Sequence, residues 1–315
     1  MRILMFGRGV IATIYGYAFD AAGHDVEFYV RPGRANEYGG EVTMELLDGR
    51  RVPWGRRSHR SFSTRLRESL EPGDGFDLIV LSVGHHHLGQ AAEFLAPRIG
   101  EATVLVFGNV WDEPLAAVAP LPADRVMFGF PQAGGGFGSD GVLRGALMRS
   151  VVLGTASPSP GPRELDVRAA FQQAGFAIRS EQDMRGWLWL HFASDAGMFA
   201  QALDSGSLSN MVGDRRALRQ AFMTIRELLP VLDQRGVALG RHRVATLPLR
   251  LPGLTAAVLA WATARFQIAQ VSLAAHTDPN AAEPRAVLDD AVGTARRLGI
   301  ATPRLERAVG RISRN

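Results

Sequence analysis

The sequence predicts an α/β protein: a parallel-sheet domain over residues 1–182, followed by an all-α domain over 183–315. Three observations carry this. Short, nearly continuous apolar runs recur through the first half, as expected of parallel strands covered on both faces. A glycine-spaced turn follows the first of these runs. From Asp183 onward apolar residues recur at helical spacing, and strand signals almost vanish.

Residues 2–7, RILMFG, read as the first strand. Gly7-Arg8-Gly9-Val10-Ile11-Ala12 then fits G-x-G-x-x-G/A. A helix runs to Ala22, Gly23 closes it, and VEFYV at 26–30 is the second strand. Strand, glycine turn, helix and strand within one short unit are the context a dinucleotide-binding turn requires. The domain is therefore expected to be Rossmann-type. Gly7 permits the tight turn, and Gly9 lets a pyrophosphate approach the backbone. The helix N-terminus then offers free N–H groups and partial positive charge. Where an acidic residue would hold a ribose 2′-hydroxyl, this chain has Arg31, with Arg34 close behind. Arginine there suits a 2′-phosphate, so NADP is the expected cofactor. The competing reading is a pair of solvated loop arginines.

Further strands are expected at 77–83, 103–107 and 126–130. Ligands gather at the carboxyl ends of such strands. Those ends carry Gly84 with His85, His86 and His87, then Gly108-Asn109, then Pro131-Gln132. Consecutive histidines rarely converge on one ion, so no metal is expected; they read as the start of the next helix. Asn109 suits a nicotinamide or substrate oxygen, or else an Asx turn. The glycine-rich stretch 133–141 is either a mobile flap or a hairpin. VLRGALMRSVVLG is strand-like, and 155–163 reads as a linker or surface loop. A helix over 164–174 and a strand over 177–179 complete the domain.

Helices are expected at 183–204, 213–236, 252–273, 282–298 and 303–313, with Gly236 and Gly299 as end signals and Pro303 opening the last. On the first, Trp187, His191, Asp195 and Met198 share one face, with Ser194 beside them. They are either a satisfied pair within a core or the lining of a cleft. The apolar stretch 252–273 is either a homodimer face or core.

Composition excludes several chemistries. The chain has 315 residues, a formal net charge of +4 and no cysteine. Disulfides, a thiolate nucleophile and Cys-ligated metals are excluded. All 35 basic residues are arginine, so no lysine can donate a proton or form a Schiff base. The basic residues are scattered, and no nucleic-acid partner is expected. The first residues read as strand and glycine turn rather than a cleaved leader. The apolar run 253–264 is too short to span a bilayer and is flanked by Arg250 and Arg265. No membrane partner is expected, and a cytoplasmic location fits.

Several stretches resemble the ketopantoate reductases (2-dehydropantoate 2-reductases). They are the start, MRILMFGRGVIATIYGYAFDAAGHDVEFYVR, the FGN at 107–109, the tryptophan-led helix at 187–203, and Glu283 followed by LGIATP at 298–303. The resemblance implies a Rossmann domain joined to a helical domain, with NADPH as hydride donor. It also implies a 2-oxo acid as the small-molecule substrate, reduced in the cleft between domains. It carries the dinucleotide loop onto Gly7, Gly9 and Ala12, the 2′-phosphate arginine onto Arg31 and the contact asparagine onto Asn109. The second-domain glutamate falls on Glu283, and a substrate-binding serine falls on or next to Ser272. Laid on Trp189, the family's catalytic lysine falls on His191, its first asparagine on Asp195 and its second on Phe199. A further family lysine falls on Gly84. Histidine can replace lysine as proton donor to a developing alkoxide. Losing both lysines while keeping Glu283 and gaining Asp195 makes the site less positive, which disfavours a 2-oxo carboxylate. The reading is an NADPH-dependent reductase of a C=O other than ketopantoate's, with His191, Asp195 and Glu283 as its catalytic group. An imine or iminium reductase using Asp195 and Glu283 is the alternative. A nucleotide-binding protein that has lost turnover is the other.

Overall fold

The structure is a computed structural model and describes residues 1–154, 160–273 and 281–312. Most of the linker reading at 155–163, and the last residue of the helix expected at 303–313, lie outside the described residues. The chain divides into two compact units, Met1–Met184 and Arg185–Asn315.

The strands of the first unit are β1 (Arg2–Phe6), β2 (Asp25–Tyr29), β3 (Glu41–Asp48), β4 (Arg56–Ser63), β5 (Leu66–Arg67), β6 (Leu78–Leu81), β7 (Thr103–Phe107), β8 (Val126–Phe130), β9 (Ala133–Phe137), β10 (Leu143–Leu147), β11 (Ser150–Gly154) and β12 (Ala177–Glu181). One sheet has the order β12-β11-β8-β7-β6-β1-β2-β5. Its neighbours are parallel except β8 and β11. In register, Phe6 lies opposite Tyr29 and Leu81, and Phe107 opposite Gly129. The turns after β1, β6, β7 and β8 therefore leave from one edge. The expected parallel α/β sheet is present. Its central strands are apolar throughout because both faces are covered: β6 and β7 are buried at every residue.

The helix Val10–Asp20 packs on this sheet through Ile14, Tyr15 and Phe19, all fully buried. The glycine that allows close packing is Gly16, one turn beyond the motif. A Cβ there would lie 2.4 Å from the Phe28 ring. Ala12, the third motif position, is simply buried.

A second sheet, β4-β3-β10-β9, was not expected. In β4, RRSHRSFS, only Phe62 is buried, so no alternation marked it. A polar, arginine-rich edge strand also discourages pairing with other chains. The glycine-rich stretch 133–141 forms a hairpin, β9 antiparallel to β10. Gly135 is required there, since a Cβ would lie 2.3 Å from the Arg144 carbonyl oxygen. The strand-like run after it is two strands entering different sheets.

The helices of the second unit are Met184–Ser205, Arg215–Glu227, Leu229–Gln234, Arg243–Arg250, Pro252–Arg265, Gln267–Leu273, Ala282–Arg297 and Pro303–Ile312. The helix expected over 213–236 breaks at Leu228, ahead of Pro230, whose ring cannot continue a helix interior. The one expected over 252–273 breaks at Phe266, which is extended (φ −113, ψ 118). Arg243–Arg250 was not expected; it carries Pro248 within it. Asp214 caps Arg215–Glu227, accepting from the N–H groups of Arg216 (2.8 Å) and Ala217 (3.0 Å).

Most residues of Met184–Ser205 are buried. Trp189 is buried, with the guanidinium of Arg185 at 4.9 Å and that of Arg235 at 3.5 Å from its ring centre. At Gly197 the helix meets Arg215–Glu227 backbone to backbone. A Cβ there would lie 2.3 Å from Ile225 Cγ1, 2.9 Å from Ile225 N and 3.0 Å from the Ala221 carbonyl oxygen. Gly197→Ala is therefore expected to destabilise the chain by about 1–3 kcal/mol, the range for overpacking a filled interior. Urea denaturation checks it; an unchanged midpoint would contradict this contact.

Candidate functional site

In the first unit, β1 delivers Phe6 to the sheet edge and the chain turns at Gly7, whose φ of +99° suits glycine. Gly9 is the N-cap of Val10–Asp20 and has extended backbone. A Cβ on Gly9 would meet no atom within 4 Å, so the space above this helix N-terminus is open. Val10 and Ile11 form its first turn, and Ala12 faces the core. Free N–H groups at such a terminus favour an anion.

Beside this turn lies a cavity of about 480 Å³. Its aromatic floor is Phe6, Tyr29 and Phe94. Phe6 stacks on Tyr29 with ring centres 5.0 Å apart, and Tyr29 lies 4.9 Å from Phe94. Burial pushes the Tyr29 hydroxyl above its ordinary range. The rim carries three guanidinium groups, Arg8, Arg31 and Arg34. The Tyr38 ring meets two of them, with Arg8 at 5.0 Å and Arg34 at 5.2 Å from its centre. Arg34 also pairs with Glu37 at 2.9 Å. The short helix Ala35–Tyr38 is anchored by Glu68, whose carboxylate accepts from the Ala35 N–H at 2.8 Å. That bond and one from Gly33 hold the Glu68 carboxyl below its ordinary range. Arg8 is partly buried, which pulls its guanidinium below its ordinary value; it remains a cation. The Nε atoms of Arg8 and Arg34 are buried with no hydrogen-bond partner among the described residues. An apolar floor with guanidinium groups among its neighbours could hold a dinucleotide.

The other strand ends line the same sheet edge. Gly84 begins the tight turn His85–His87, and His87 with Val83 reaches the cavity wall. Among the described residues no cluster of three or more metal-ligating side chains occurs. Asn109 follows β7 and is half-buried. After β8, the Gln132 N–H donates to the Tyr15 hydroxyl at 3.1 Å, and its side-chain carbonyl accepts from Ser150 at 2.7 Å. Burial raises the Tyr15 hydroxyl well above its ordinary range.

In the second unit, Met184–Ser205 is buried over most of its surface. Trp187, His191, Ser194, Asp195 and Met198 are half-buried and make one open stripe. The polar groups therefore do not sit in a closed core. The His191 ring stacks on Trp187 one turn away, centres 5.2 Å apart and planes within 11°. Its Nε2 lies 3.6 Å from the Asp195 carboxylate. Ser194 donates to the Leu190 carbonyl at 2.9 Å, so its hydroxyl serves its own helix. Phe199 is buried. Glu283 stands half-buried in the first turn of Ala282–Arg297. Ser272 is exposed, its hydroxyl donating to the Ile268 carbonyl at 2.7 Å.

Sequence reasoning missed Tyr38 and the aromatic floor. Phe6 and Tyr29 read only as strand residues, and Tyr38 belongs to no motif. The position of Arg31 and Arg34 just after β2 was the available signal.

Residues 3–158 match the family model described as ketopantoate reductase PanE/ApbA. No curated protein matches the chain by sequence. Among solved structures, 2-dehydropantoate 2-reductase from Geobacter metallireducens GS-15 superposes with a TM-score of 0.72 at 17% identity, covering 100% of this chain and 99% of that one. The enzyme of the same name from Porphyromonas gingivalis W83 gives 0.66 at 13% identity, covering 99% of both chains. A D-mandelate dehydrogenase solved with NADH gives 0.68 at 12% identity, covering 99% of this chain and 98% of that one. At these identities the shared property is the fold, a parallel-sheet domain with a helical C-terminal region, common to reductases and a dehydrogenase. Through residues 3–158 the chain belongs to the ketopantoate reductase PanE/ApbA family.

Proposed function

We propose that this protein is an NADPH-dependent oxidoreductase that reduces the C=O of a small substrate other than ketopantoate. The observation that carries the cofactor half is the cavity beside Gly7 and Gly9, with its three guanidinium groups and no acidic residue directly after β2. A fold shared with an NADH-bound dehydrogenase leaves the choice of dinucleotide to local residues. Arg31 and Arg34 favour the 2′-phosphate form. The backbone at Gly7, Arg8 and Gly9 would hold the pyrophosphate, and Asn109 and Gly84 would border the nicotinamide end.

NADPH, when bound, supplies the hydride. The remaining need is a proton for the oxygen that becomes an alkoxide. The family resemblance puts His191 where a lysine would serve. Its imidazole is held in plane by Trp187, and Asp195 lies 3.6 Å from Nε2 to pair with it when it is protonated. His191 is thus the proposed general acid, Asp195 its positioning partner, and Glu283 a group that orients substrate. With one histidine and two carboxylates, this set stabilises a neutral ketone better than a 2-oxo carboxylate, whose negative charge it would repel.

The test is NADPH oxidation by the purified chain with ketopantoate beside a panel of neutral ketones and cyclic imines. Turnover of a neutral ketone at a kcat/KM at least ~10-fold above that for ketopantoate is expected, since one charge-assisted contact is worth about that much. Ketopantoate as the best substrate would overturn the substrate half of the proposal. Imine turnover that survives His191→Ala would reassign the chemistry to the carboxylates.

A further inference from the structure

Within the second unit a cavity of about 390 Å³ is lined by the end of Met184–Ser205, the start of Arg215–Glu227 and the helix Pro303–Ile312. His191, Asp195 and Glu283 are not among its lining residues. Four guanidinium groups line it, Arg216, Arg304, Arg307 and Arg311, against two carboxylates, Asp204 and Asp214. Along Pro303–Ile312 the three arginines advance by 3 and 4 residues, so they share one face. Like charges at that spacing repel and weaken a helix. The fold answers the outer two. Arg304 donates to the Gln220 side-chain oxygen at 2.6 Å and pairs with Glu227 at 3.5 Å. Arg311 pairs with Asp204. Arg307, between them, has no hydrogen-bond or ion-pair partner among the described residues. Arg216 is a second unanswered cation. It stands in the first turn of Arg215–Glu227, where the helix dipole disfavours positive charge. Asp214 beside it is turned to the backbone, its Oδ1 accepting from the N–H groups of Arg216 and Ala217. The Arg216 guanidinium likewise has no partner among the described residues.

We infer that this cavity binds a small phosphate-bearing molecule through Arg216 and Arg307, at a site separate from the cavity beside Gly7 and Gly9. Two positions that each disfavour a cation both carry arginine, and both line one cavity. Such a local conflict, repeated around a concavity, is what a ligand of opposite charge resolves. A concave lining with more guanidinium than carboxylate groups also concentrates anions. The volume lies in the range of small-molecule sites, so the phosphate is one end of a larger ligand. The number and placing of the donors select phosphate over carboxylate. A planar carboxylate is saturated by one guanidinium fork, whereas a phosphate offers three terminal oxygens to several donors. Here Arg216 comes from one helix and Arg307 from another. Gln220 lines the same cavity, and with its oxygen engaged by Arg304 its side-chain NH₂ remains to donate. A phosphate held by these groups ties Arg215–Glu227 to Pro303–Ile312.

Isothermal titration of the full chain with inorganic phosphate, and in parallel with succinate, is the test. It is run on the wild type and on Arg31→Ala/Arg34→Ala, which removes phosphate attraction at the first cavity. Saturable phosphate binding is expected in both at one ionic strength, with succinate held at least ~10-fold more weakly. Adding Arg216→Ala/Arg307→Ala should weaken phosphate at least ~10-fold, from the loss of charged hydrogen bonds. Both side chains are exposed, so circular dichroism should not change. Thermal unfolding gives an independent reading. Phosphate should raise the Tm of Arg31→Ala/Arg34→Ala at matched ionic strength, and this rise should vanish when Arg216→Ala/Arg307→Ala is added. None of these readings depends on NADPH binding. No saturation by ~10 mM phosphate, binding that survives Arg216→Ala/Arg307→Ala, binding lost in Arg31→Ala/Arg34→Ala alone, or succinate held as tightly would each overturn the inference.

Discussion

His191→Ala is expected to lower kcat by about 10²–10⁴-fold, the span for removing a positioned general acid. NADPH affinity should stay within ~2-fold, because His191 is not among the residues that line the cavity beside Gly7 and Gly9. Rapid-mixing measurement of NADPH oxidation, with NADPH binding measured separately, separates the two effects. Asp195→Asn should fall between: it removes the charge beside Nε2 but leaves the stack on Trp187, so a loss of roughly 10-fold is expected. If His191→Ala retained wild-type kcat, the open stripe would be packing and not chemistry.

How far that stripe could be read in advance depends on what a linear spacing contains. Trp187, His191 and Asp195 fall four residues apart, so their shared face was visible from the sequence. Whether that face was closed or open was not, because that depends on which neighbours cover it. The same limit governed the strands. The 103–107 and 126–130 runs were legible as strands because buried parallel strands are apolar at nearly every position. β4 was hidden because an exposed edge strand carries no apolar signal. The break at Phe266 lay inside an unbroken apolar run; the chain turns there by backbone conformation alone. Arg31 and Arg34 were readable from their place after the second strand. Tyr38 was not, since its role comes from two guanidinium groups that meet its ring only in the fold.

That arrangement leads to the second large effect. Arg31→Ala/Arg34→Ala is expected to weaken NADPH binding by roughly 10²–10⁴-fold, from about 1.5–3 kcal/mol for each of two charged hydrogen bonds lost. NADH binding should change by no more than ~3-fold, because NADH has no 2′-phosphate for them to hold. Arg8→Ala removes a guanidinium over Tyr38, whose aromatic contact alone is worth about 0.5–1 kcal/mol at a partly exposed site. It should weaken NADPH less than the double substitution, by roughly 5–50-fold once its share of phosphate attraction is included. Equal loss of NADPH and NADH in these variants would show that the arginines hold the loop and not the phosphate.

The account stands on the cavity beside Gly7 and Gly9 being an NADPH site. The most direct measurement is a fluorescence titration of the purified chain with NADPH and NADH in parallel, at one salt concentration. NADPH is expected to bind at least ~100-fold more tightly, consistent with two or more charged hydrogen bonds to the extra phosphate. Equal affinity for the two, a preference for NADH, or binding of neither would contradict it.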